Sequence, residues 1–198
     1  MKFKDFILSP DQEWQDDKIF HFRCPPFFTA TYHGCIEIVK MLHKLGQNFN
    51  QRMDMEQILK KRSFYPKYFE MPLFVAIQNG HSEVAKFLDE ITPDTQTPLV
   101  DYFGDVPLLS AINCKKYDLV KYFALRTLNL FSCENTGHRD GLIHYATCDY
   151  KIFEYIMSFQ NVNPNHLNSD GLTPLHLLCD KSYVINRKIP LEDVAKMI

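Results

Sequence analysis

Glycine is scarce in this chain, at 7 of 198 residues, and no two glycines stand two positions apart. That excludes a G-x-G phosphate cradle, and no nucleophile elbow is present either. The six cysteines, at 24, 35, 114, 133, 148 and 179, include no C-x-x-C pair. Their scatter predicts reduced, mostly buried structural thiols in a cytoplasmic protein rather than a disulfide framework. Neither charge sign is in excess, with 22 basic against 24 acidic residues, so composition gives no argument for nucleic acid. There is no long apolar run, and the start, Met1-Lys2-Phe3-Lys4-Asp5, is charged. Membrane insertion and a signal peptide are therefore not expected.

What the chain does have is aromatics, 16 Phe and 10 Tyr, and one highly patterned run, Asp170-Gly171-Leu172-Thr173-Pro174-Leu175-His176-Leu177-Leu178-Cys179. Gly171 suits the positive φ of a tight turn. Thr173 is an N-cap candidate, and Pro174 fits the first helical position, where its missing N–H costs nothing. Leu175, Leu177 and Leu178 begin an apolar helix face.

Thr173-Pro174-Leu175-His176 resembles the signature of the ankyrin repeat, a turn and two helices recurring about every 33 residues. The resemblance implies an all-α ankyrin-repeat solenoid over residues 17–198. It also implies that the Thr and His side chains hydrogen-bond at the start of the first helix. Pro26-Phe27-Phe28-Thr29-Ala30 opens repeat one (about 17–50), and Glu37–Leu42 is its second helix. Met71–Ala76 and Glu83–Leu88 make repeat two (about 67–100). Gly104–Ala111 and Asp118–Phe123 make repeat three (about 102–134), in which Lys115-Lys116 stand where the family has Gly-His. Asp140–Ala146 and Ile152–Met157 make repeat four (about 135–166). Repeat five (about 167–198) is the patterned run, an irregular stretch from Ser182 to Pro190, and a second helix over Glu192–Ile198. Pro26 and Pro72 stand 46 apart, so an insertion is expected at 51–66. Residues 1–16, with Ser9-Pro10 and Trp14, are expected to cap the array. The apolar finish implies that further repeats or a partner cover helix 191–198.

Periodicity supports the same division independently. Ile38, Val39 and Leu42, then Val84, Phe87 and Leu88, then Leu119, Val120 and Phe123, then Ile152, Phe153 and Ile156 form apolar stripes of helical period.

Two pairs invite a chemical reading. His144 and Cys148 are four apart, and His176 and Cys179 three apart, spacings open to a thiol nucleophile with its base or to a metal pair. Both histidines fall on the family's structural position and Cys179 on a small buried one, so the expectation is a non-enzymatic protein without cofactor or metal.

What the resemblance implies is protein–protein recognition by an adaptor, through hairpin tips and the exposed ends of first helices. Carried over position by position, the site is Phe22, Tyr32 and His33 in repeat one, and Tyr68, Glu70, Gln78 and Asn79 in repeat two. Repeat three gives Tyr102, Phe103, Asp105 and Asn113; the last two give Asp140, Asp149, Asp170 and Asp180. Aromatics crowd one end and carboxylates the other, which would suit a basic, partly apolar segment. The alternative is that the aromatics pack on each other and the aspartates cap turns. A spacer or targeting role inside a larger protein also stays open.

Overall fold

The computed structural model describes residues 25–47, 49, 53–54, 69–92, 99–101, 103–126, 140–160 and 162–198, with 53–54 and 69–70 as backbone alone. The capping segment 1–16, Trp14 and most of the insertion at 51–66 lie outside the described residues. The chain divides into two units, Met1–Thr92 and Pro93–Ile198.

The first unit holds α1 (Pro26–Tyr32), α2 (Ile36–Lys44), α3 (Pro72–Asn79) and α4 (Ser82–Ile91), with a two-residue antiparallel pair, β1 (Met53–Asp54) and β2 (Phe69–Glu70). The second unit holds α5 (Pro107–Asn113), α6 (Tyr117–Arg126), α7 (Leu142–Ala146), α8 (Tyr150–Met157), α9 (Pro174–Cys179), α10 (Lys181–Asn186) and α11 (Leu191–Met197). The described chain is thus all-helical apart from one short strand pair.

Local chemistry explains these elements. Proline opens α1, α3, α5 and α9, with φ already set for the helix. The pairs α1–α2, α3–α4 and α5–α6 are closed by the same turn. Gly34 and Gly80 take φ of +71° and +77°, and Lys115 adopts +54° at the corresponding place. The amide one residue later returns to the carbonyl five back, as in Cys35 N–H to Ala30, His81 N–H to Ala76 and Lys116 N–H to Ala111, each 2.9 Å. This is the left-handed helix stop with a six-to-one bond, which satisfies carbonyls the helix leaves open.

Packing repeats within each unit. First helices lie on first helices and second on second: α1 on α3 and α2 on α4, then α5 on α7 on α9 and α6 on α8 on α11. Ala30, Ala76, Ala111 and Ala146 occupy equivalent buried places, small enough for close approach of the backbones. Of the twelve stripe residues expected from period, Val39, Leu42, Val84, Leu88, Leu119, Val120, Phe123, Ile152 and Ile156 are buried, while Ile38, Phe87 and Phe153 are only half-buried.

One expectation for residues 167–198 is corrected. The stretch 182–190 is not irregular: Asp180 caps α10, whose Val184 joins a core with Leu178, Ile189, Val194 and Met197. On α11, Val194 and Met197 turn inward, while Leu191, Ala195 and Ile198 stand exposed beside Glu192 and Lys196.

Candidate functional site

The expected site residues fall on two kinds of place, the tips before first helices and the turns after them. Two tips share one construction. Asp101 Oδ1 accepts from the Phe103 and Asp105 amides at 2.8 and 2.9 Å, and the Asp101 amide returns to the Asp105 carbonyl at 2.9 Å. Sixty-seven positions later in sequence numbering, Asn168 Oδ1 accepts from Asp170 and Leu172 at 3.0 and 2.9 Å, and its amide returns to the Leu172 carbonyl at 3.0 Å. Gly104 and Gly171 supply the positive φ in each. The tips are therefore rigid platforms, tied by a side chain that imitates a backbone acceptor.

Phe103 stands on the first platform and is 62% exposed. Asp170 stands on the second, also exposed. Phe22, Tyr68 and Tyr102 lie outside the described residues, and Glu70 is described as backbone alone in β2.

In the first unit, Tyr32 and His33 at the end of α1 are joined to the turn after α3. His81 Nε2–H donates to the Tyr32 carbonyl at 2.8 Å. A Cβ at Gly34 would come within 2.7 Å of His81 Cγ, so this turn needs glycine for space as well as for φ. Gln78 and Asn79 end α3, so the packing of α1 on α3 brings these four residues to one edge. Tyr32 is half-buried and meets His33 edge-on at 5.3 Å, while Asn79 Nδ2 donates back to Val75.

The carboxylates are largely occupied within the fold. Asp105 is buried, with Oδ1 accepting from Tyr145 OH at 2.6 Å, so it leaves the surface site. Asp140 Oδ1 accepts from Asn168 Nδ2 at 2.7 Å. Asp149 caps α8 through the Lys151 and Ile152 amides, and Asp180 caps α10 through Ser182 and Tyr183. Bonds to Ser182 hold the Asp180 carboxyl below the usual carboxylate range. Asn113 is exposed and accepts from Arg187 Nη1, whose guanidinium lies over the Tyr183 ring at 5.7 Å. That arginine was not foreseen: the stretch 182–190 held no helix pattern to place it.

The two thiol pairs separate. Cys148 is buried, its Sγ–H donates to the Ile112 carbonyl at 3.3 Å, and burial pushes its pKa up to about 11. A thiol held protonated is a poor nucleophile. His144 Nε2–H donates across to the Leu172 carbonyl at 3.0 Å. His176 and Thr173 form the reciprocal cap that the resemblance implies, with Oγ1 2.7 Å from Nδ1. Cys179 is exposed rather than buried, because among the described residues no further first helix packs on α9. No group of three or more His, Cys, Asp or Glu side chains suited to a metal occurs among the described residues. No described helix is long and apolar enough to cross a membrane.

Comparison of the chain with protein-family models and with curated proteins found no match.

Proposed function

We propose that this chain is a non-enzymatic recognition module of the ankyrin type, which holds another polypeptide on its tips and inter-helix turns. The observation that carries the reading is Phe103. A large aromatic ring stands mostly in solvent on a turn whose backbone is fixed by Asp101. Keeping it there forgoes the burial that a phenyl ring gains, on the order of 2 kcal/mol, and a partner would recover it. Tyr32, His33 and Asn79 form a second patch at the ends of α1 and α3. The protonated, buried thiol of Cys148 also favours recognition over catalysis. With Asp105, Asp140, Asp149 and Asp180 engaged internally, the preference for a basic segment rests on Asp170 alone. We therefore assign the partner an apolar anchor rather than a charge.

The test is affinity capture with the wild-type chain and with Phe103→Ala, after circular dichroism shows equal helicity. The expected result is a polypeptide retained by the first and lost from the second. Equal retention by both would remove Phe103 from the site and leave the spacer role.

A further inference from the structure

His144 and His176 are equivalent residues in successive helix pairs, yet their Nδ1 atoms have opposite surroundings. His176 Nδ1 accepts from Thr173 Oγ1 at 2.7 Å and from the Thr173 amide at 3.1 Å. Position 141, which corresponds to Thr173, is glycine. Gly141 has φ −74° and ψ 165°, an extended geometry open to any residue, so its backbone does not call for glycine. What the missing side chain leaves is space, and the imidazole of His166 borders it. A Cβ on Gly141 would lie 3.1 Å from His166 Nδ1 and 3.7 Å from His144 Nδ1. The two rings stand edge to face, 5.8 Å between centroids.

His144 is 1% exposed, and its Nδ1 is buried with no hydrogen-bond partner. Because Nε2–H donates to the Leu172 carbonyl, the lone pair of the neutral ring is on Nδ1. A buried lone pair without a donor costs about 1–3 kcal/mol, and in a native fold calls for an occupant. An imidazole oriented by a backbone carbonyl on one nitrogen, with the other bare, is how proteins present histidine to a metal. Imidazole nitrogens favour zinc, copper and nickel over the hard cations.

We propose that His144 Nδ1 and His166 Nδ1 form a two-imidazole site for a first-row transition ion, with Zn²⁺ as the probe. His166 is half-buried in the turn that follows α8, but its Nδ1 is buried like that of His144, so an ion enters when that turn opens. Water completes the coordination. The ion ties that turn to α7, joining the fourth helix pair to the tip of the fifth. The assignment does not depend on the recognition function.

The experiment is thermal unfolding of the whole chain in the presence of EDTA or of about 100 μM Zn²⁺, with calorimetric titration. Wild type should gain roughly 3–6 °C with zinc, reversed by EDTA. His166→Ala, at a half-buried position, should fold and lose that gain. The double variant Gly141→Thr/His166→Ala gives His144 the hydroxyl that Thr173 gives His176. It should match or exceed the metal-free wild type in stability and show no zinc response. A wild type indifferent to zinc would mean that water fills the space, and would overturn the proposal. So would a gain that survives in either variant, since it would then come from other histidines.

Discussion

A single carboxyl at the first described tip shows how much one side chain decides. Asp101 is buried and close to Asp105; loss of solvent raises its pKa from 3.8 to about 6, against two amides that favour the charged form. The folded carboxyl thus binds its proton more tightly than the unfolded one. Its contribution to stability is complete below about pH 3.8 and falls away as pH rises through about 6. The second tip has the same bonds with Asn168 in that place. Asp101→Asn should therefore keep the turn, stabilise the second unit at pH 8 by about 1 kcal/mol, and flatten the stability curve between about pH 4 and 6. The gain stays below the full shift because an amide makes weaker bonds to the two N–H groups than a carboxylate does. Urea unfolding at several pH values measures it; a loss of stability at pH 8 would show that the charge is needed. Asp101 could not be singled out from sequence, because the shift comes first from burial, which only the folded turn creates, with the nearby Asp105 charge adding to it. Lys115 was legible in part: it stands where glycine is usual, and its φ of +54° shows that the turn geometry prevails over side-chain preference.

At the scale of helices, the ends were legible where a local chemical device makes them. Proline at the first position marked α1, α3, α5 and α9, and Thr173 with His176 marked a reciprocal cap. Helix α10 was missed because Lys181–Asn186 is too short to show a period, and only Asp180 announces it. The resemblance places Asp180 and Asp149 among the partner contacts by their position in the pattern. That place is also the N-cap, and an N-cap aspartate and a contact aspartate are the same letter. The cap of α9 gives the sharpest test. Thr173→Ala removes the acceptor for the His176 amide and the hydroxyl that meets His176 Nδ1. The expected cost is about 1 kcal/mol in urea unfolding. Thr173→Ser should restore it, since it retains the hydroxyl and loses only a methyl group. If serine fails to rescue, the methyl packing rather than the cap holds this helix.

Taken as a whole, each unit keeps its burial and its exposed features on different residues. Leu109 lies in the middle of α5, fully buried. Phe103 lies six residues earlier, in solvent, on a turn tied by backbone bonds, by Asp101 and by the Tyr145 hydroxyl on Asp105. Period and apolar pattern were enough to read the first kind of residue, because burial follows from helix geometry. They could not read the second kind, because exposure of a phenyl ring depends on a turn assembled from both its flanks. Leu109→Ala should cost about 3 kcal/mol, the removed methyl groups plus the cavity they leave. Phe103→Ala should change stability by less than about 0.5 kcal/mol, as at other exposed positions. Chemical unfolding of both variants decides it. A loss above about 1 kcal/mol from Phe103→Ala would mean that the ring braces the fold, and its exposure would then no longer argue for a partner.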